Sequence, residues 1–149
     1  MVMEQRSQAI LRLPKDQTPA EVTLHDGERS YVILFVPPGF SIAHLLDDDS
    51  WFIPMNFTGI TKLVARGAIA SLSIHAMLTE DDGLPQERQR AVIRMRNGET
   101  VNGEIRWIAP PDRRRTLDCL NDGGKFLAVY EGDYITFVAK AHIATVEEA

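Results

Sequence analysis

The chain says nearly the same thing twice, and two copies of a short unit leave few folds open to it. Residues 22–74 and 92–148 share their punctuation. Asp26-Gly27 matches Asn97-Gly98 at an offset of 71, and Phe52 matches Phe126 at an offset of 74. Between those anchors Pro37-Pro38 answers Pro110-Pro111, and Leu45-Leu46-Asp47 answers Cys119-Leu120-Asn121. Beyond them Val64-Ala65-Arg66 answers Val138-Ala139-Lys140, and Ile69-Ala70 answers Ile143-Ala144. Self-similarity at a nearly fixed period is the mark of a duplicated structural unit. Each copy has about 55 residues, near the lower limit for a core that folds alone, so the two are expected to pack on each other or on a partner.

Inside each copy the turn signals are closely spaced. Asp26-Gly27 and Asn97-Gly98 each lie between β-prone runs, where a two-residue hairpin turn needs φ > 0. The run 31–36 is apolar on both faces and is expected to be buried on both. Pro37-Pro38 and Pro110-Pro111 end the second strands, because proline cannot donate to a ladder. Ile42, Leu45 and Leu46 then have helical spacing, and residues 116–120 take the same place in the second copy. Strands are expected at 51–55, 60–65 and 68–74, and again at 126–130, 134–139 and 143–146. Five short strands per copy predict an all-β chain of small barrels rather than a parallel α/β sheet. The expected organisation is a lead-in at 1–20, a first unit at 21–78, a linker at 79–90 and a second unit at 91–149. Residues 5–13 fit either a short helix or a strand ended by Pro14.

Composition narrows the function classes. Hydrophobic content of 44% and charged content of 25% are ordinary for a globular protein. The net charge of −5 disfavours a general nucleic-acid binder, whose affinity comes from Lys and Arg displacing counterions. A single cysteine, Cys119, has no intrachain disulfide partner, which points to a reducing compartment and a cytoplasmic protein. No apolar run approaches the ~20 residues that span a bilayer, so no membrane insertion is expected.

The motifs resemble those of the Sm-like family of small SH3-like β-barrels. Ile93-Arg94-Met95, Asn97-Gly98 and Val101-Asn102-Gly103-Glu104-Ile105 are similar to the first Sm motif. The glycine there lets a strongly bent strand curl without a Cβ clash; the first copy has Val32 in its place. Lys62 to Leu72, with Arg66-Gly67 between two apolar strands, resembles the second Sm motif, and Val138 to Ile143 is a looser version. The resemblance implies two tandem barrels, each with a short helical insertion after its second strand. It also implies association through edge strands, the fourth strand of one barrel joining the fifth of the next. RNA-binding members carry an Asp-x-apolar-Met-Asn segment in the third strand, and neither copy has it in register. Residues 115–127 also resemble a pattern in uncharacterised bacterial proteins, with no chemistry attached.

Several residues are candidates for binding. In Sm-like rings the positions of Arg66, Gly67 and Lys140 line the pore and touch RNA, and this is the alternative function that the resemblance implies. Asp47, Asp48 and Asp49 lack the alternating ligands and closing Glu of a calcium loop, so a solvated acidic loop is expected. Arg113, Arg114 and Arg115 occupy the equivalent loop of the second copy with opposite charge. Such a pair of loops suits head-to-tail docking or an intrachain bridge. Phe40, beside Pro37-Pro38-Gly39, is a candidate exposed anchor for a partner. Trp51, Phe52, Phe57, Trp107, Phe126 and Tyr130 are expected in the core or between the copies. The histidines and Cys119 show no zinc spacing, and Cys119 sits on the apolar side of its turn as a buried thiol. No catalytic residue, metal site or cofactor is assigned. The expected function is a non-enzymatic interaction or assembly module whose partner is a protein or a further copy of the chain, with RNA not favoured.

Overall fold

The computed structural model describes residues 16–78 and 86–149. The reading of residues 5–13 lies outside them. Ten strands follow one another as β1 (Gln17–Leu24), β2 (Arg29–Phe35), β3 (Phe52–Phe57), β4 (Ile60–Ala65), β5 (Ile69–His75), β6 (Glu87–Met95), β7 (Thr100–Trp107), β8 (Phe126–Glu131), β9 (Tyr134–Ala139) and β10 (Ile143–Glu148). Two short helices, α1 (Ile42–Asp47) and α2 (Thr116–Leu120), follow β2 and β7. Three-residue 3₁₀ turns, Arg66–Ala68 and Lys140–His142, join β4 to β5 and β9 to β10.

All ten strands form one antiparallel sheet in the order β10-β6-β7-β8-β9-β5-β1-β2-β3-β4. The order is one five-strand pattern used twice. Register repeats with it, residue by residue. Thr23 pairs with Arg29 and Arg94 with Thr100; Leu34 pairs with Met55 and Ile105 with Val129. Even the bulge recurs, between Thr23 and Leu24 against β5 and between Ile143 and Thr145 against β6. The Asx-Gly turns behave as their sequence requires: Gly27 and Gly98 both have φ of +91°.

Each half gathers its own apolar cluster. The first takes Val22 from β1, Leu34 from β2, Ile53 from β3, Val64 from β4, Leu72 from β5 and Leu46 from α1. In a flat sheet β4 and β5 would lie four strand spacings apart, about 19 Å, so sharing one cluster requires the sheet to curl on itself. The second cluster takes Ile93, Ile105, Val129, Val138 and Cys119. Gly103 permits the tightest approach within it: a Cβ there would lie 2.6 Å from the Tyr130 carbonyl oxygen. At the equivalent place in the first half Val32 is accommodated and buried.

The halves are joined edge to edge. β5, the fifth strand of the first half, pairs with β9, the fourth of the second, from Ser71↔Val138 to His75↔Tyr134. Side chains cross this seam in both directions. Ile135 and Phe137 of β9 belong to the first cluster, and Ala70 of β5 belongs to the second. Phe126, Ala128 and Tyr130 of β8 also pack on the first cluster.

Three expectations need correction. β2 is not buried on both faces: Val32 and Leu34 face the core, while Tyr31 and Phe35 are exposed, because this strand has a packed layer on one side only. The first strand begins at Gln17, inside the expected lead-in, and β6 begins at Glu87, inside the expected linker. In both places polar or proline-containing sequence is carried into the ladder by the strand beside it. Trp51 and Phe52 are exposed rather than packed.

Candidate functional site

The seam brings together most of the residues singled out by sequence. Its centre is a pair of equivalent 3₁₀ turns and the helix ends that they hold. A helix of six residues leaves its last carbonyls without intrahelical donors. Arg66 supplies them. Its Nη1 donates to the carbonyls of Leu45 and Leu46, both at 2.6 Å. Its Nε donates to the Ser50 carbonyl at 2.6 Å and its Nη2 to Ser50 Oγ at 2.7 Å. The side chain is buried, with Asp48 Oδ2 3.9 Å away as counter-charge. Ser50, in turn, holds the Asp48 carboxyl below the usual carboxylate range by hydrogen bonding. In the second half Lys140 does the same work with fewer donors. Its Nζ reaches the carbonyls of Cys119 and Asp122 at 3.4 and 3.3 Å and Asp122 Oδ1 at 2.6 Å. The Gly67 carbonyl is engaged as well. It accepts from His142 Nε2 at 2.7 Å, which fixes the proton on that nitrogen, since a carbonyl only accepts. Of the three residues of the RNA expectation, Gly67 is bonded across the seam by His142, while Arg66 and Lys140 are committed to helix-end and loop oxygens of their own halves.

The acidic loop is held across the seam, but not by the arginines. Lys125 of the second half donates its backbone N–H to Asp47 Oδ1 at 2.9 Å. Its Nζ reaches the Asp48 carbonyl at 2.9 Å and Asp49 Oδ1 at 2.8 Å. This is an intrachain bridge made by a residue that the sequence did not single out. Arg115 stays local, pairing with Asp118 at 3.1 Å, and Arg114 lies 3.7 Å from Glu87. Arg113 is exposed in the same loop. The hydrogen bond from the Arg115 side chain holds the Asp118 carboxyl below its ordinary range.

Two clefts open along the seam. One, of about 330 Å³, is lined by Trp51, Arg66, Gly67, Phe126, Ala139 and His142 among others. The other, of about 630 Å³, lies between the loop carrying Pro37-Pro38 and strands β8 and β9. Phe40 stands on its rim, 62% exposed and edge-on to His44 at 6.3 Å between ring centroids. Its exposure is as the proline-glycine loop implies.

Cys119 is buried, and burial pushes its thiol up to about 11, far from a reactive thiolate. Among the described residues no group of three or more His, Cys, Asp or Glu is placed to hold a metal ion. No helix among them is long and apolar enough to cross a membrane. The largest unexpected feature is apolar: Trp51 is 84% exposed and Leu63 69%, and Phe52 and Ile60, the first residues of β3 and β4, are exposed as well. Comparison with protein-family models, with curated proteins and with solved structures gave no match.

Proposed function

We propose that the chain is a non-enzymatic assembly module: a tandem of two Sm-like small barrels, produced by internal duplication, that serves as a cytoplasmic subunit of a larger complex. The observation that carries this reading is where the exposed apolar residues lie. Trp51, Phe52, Ile60 and Leu63 are all exposed at the β3–β4 end of the first half. Their counterparts in the second half are Lys125, Phe126, Tyr134 and Phe137, and every one of these is used in contact with the first half. Lys125 bonds the acidic loop. Phe126 and Phe137 pack with the first cluster. Tyr134 lies edge-on to His75 at 5.2 Å. Positions that are contacts in one copy and bare in the other support a contact that awaits its partner.

The repeated register and the close approach at Gly103 support the duplication and the barrel reading. RNA binding through Arg66 has less support, because it requires the guanidinium to leave four hydrogen bonds to the end of α1 and to Ser50 in the loop after it. Native isolation of the tagged full chain, followed by mass determination of what elutes, tests the assembly reading. A mass above that of one chain, from copies or a second protein, is expected. A bare single chain at every concentration refutes it, and an absorbance ratio showing bound nucleic acid favours RNA instead.

A further inference from the structure

We propose that the outer face of β6 and β7 docks an extended acidic segment of a partner protein, its carboxylates at alternate positions set against a ladder of arginines. This surface uses different strands from the bare β3–β4 end and does not depend on it. Eight of the chain's twelve arginines fall between residues 88 and 115, in a chain of net charge −5. The strands concentrate them further. Successive residues leave a strand on opposite faces. In β6, Ala91, Ile93 and Met95 are buried on one face, while Arg88, Arg90 and Arg94 are exposed on the other. Val92, half-buried, stands between Arg90 and Arg94 on the arginine face. Arg106 of β7 lies opposite Arg88, and Glu104 lies opposite Arg90.

The first half shows what the fold itself requires at these places. Its register equates Arg88, Arg90, Arg94 and Arg106 with Gln17, Pro19, Thr23 and Phe35; Gln17 pairs with Phe35 where Arg88 pairs with Arg106. The same strands therefore form with no charge at any of the four positions. In the second half the arginines come at a cost, since like charges directly opposite across a ladder are destabilising. Glu104 offsets part of it, accepting from Arg106 Nε at 2.6 Å and from Arg88 Nη1 at 3.3 Å. The Arg106 guanidinium also stacks over the Tyr130 ring, 4.1 Å from its centroid. Arg90 and Arg94 are left: among the described residues neither side chain makes a hydrogen bond or an ion pair.

Two residues of strand cover about 6.8 Å. The ladder thus repeats with the spacing at which an extended peptide presents every second side chain. Three carboxylates face Arg88, Arg90 and Arg94, and an apolar residue in the third slot faces Val92. Arginine's planar fork takes a carboxylate with two parallel hydrogen bonds. A single nucleic-acid strand fits this face less well. Its bases need rings to stack on, and Tyr130, the ring opposite Glu104, lies under Arg106. Glu104, and Glu147 opposite Val92 on β10, also interrupt the positive charge where a phosphodiester backbone is negative throughout.

Fluorescence anisotropy on the full chain tests this with three labelled probes. They are the peptide Ser-Glu-Ser-Glu-Ser-Val-Ser-Glu-Ser, a peptide of the same composition with its glutamates adjacent, and an oligouridylate of equal length. Saturable binding of the alternating peptide is expected at low ionic strength, weakening as salt is added. The peptide with adjacent glutamates is expected to bind more weakly. Arg88→Gln combined with Arg94→Thr introduces the residues that the first half uses at these positions, so circular dichroism is expected to stay native. The pair is expected to weaken binding of the alternating peptide at least ~10-fold, and Arg90→Glu, at an exposed position, to do the same. No saturable binding of the alternating peptide, or an affinity that both variants leave unchanged, overturns the docking surface. Equal binding of the two peptides overturns the ladder match, and tighter binding of the oligouridylate overturns the choice of partner. The native mass of the chain enters none of these readings, so the assembly reading stands or falls separately.

Discussion

Arg66 shows how much of this fold is settled by one side chain. Its planar guanidinium presents donors in several directions, and four of them meet oxygens of α1 and the loop after it. Removing it leaves buried carbonyls with no donor, and each unsatisfied polar group costs about 1–3 kcal/mol. Arg66→Ala is therefore expected to lower stability by roughly 3 kcal/mol, since the bonds share one group and do not add fully. Arg66→Lys is expected to recover part of that, because Lys140 already holds α2 with an ammonium in the second half. Chemical denaturation of the two variants checks the order wild type, Lys, Ala. Equal midpoints for all three would show that the helix end is held by something else.

At the level of elements, most strands were legible. Val, Ile and aromatic runs between Asx-Gly turns and prolines predicted them, and α2 and β9 fall where expected, at Thr116–Leu120 and Tyr134–Ala139. β1 starts at Gln17, ahead of the alternating residues 21–24; its pairing with β5 covers only Glu21–Leu24, so Pro19 has no ladder on that flank to disrupt. The start of β6 was hidden because Glu87 to Arg90 has no apolar residue; β7 carries it by pairing Glu87 with Trp107 and Arg90 with Glu104. Trp51 and Phe52 misled for a different reason. Alternation tells which residues leave the strand on one face, but not whether a neighbour stands there. Nor did sequence reveal Arg66 as a helix clamp, since its partners lie far upstream along the chain. The helix α2 has a pH test of its own. Its first residues are held by Asp118, which accepts from the Arg115 backbone N–H at 3.1 Å and from the Arg115 side chain. The folded carboxyl titrates below its unfolded value, about 3.9, so its contribution is fully present above that pH and is lost as pH falls through the lower folded value. The difference in melting temperature between wild type and Asp118→Ala is expected to be constant from neutrality to about pH 4.5 and to close below it. A gap that persists at pH 2 would mean that the carboxylate charge is not what holds the helix.

For the molecule as a whole, the seam decides whether two halves are two folding units or one. A unit of about 55 residues has little core to spare, and here each half lends side chains to the other. Phe137 and Ile135 leave β9 to complete the first cluster, and Ala70 leaves β5 to complete the second. Neither cluster is whole unless the other half is folded beside it. The chain is thus expected to melt in one transition, with calorimetric and van't Hoff enthalpies agreeing. Phe137→Ala probes the coupling directly. Truncating a buried phenylalanine costs about 3–5 kcal/mol, and at this chain length ~3 kcal/mol lowers the midpoint by roughly 6–12 °C. Because the residue is anchored in one half and buried in the other, the whole endotherm is expected to move as a single peak. Splitting into two peaks, with the first half melting early and the second unmoved, would show that the halves are independent and joined only by their backbone ladder.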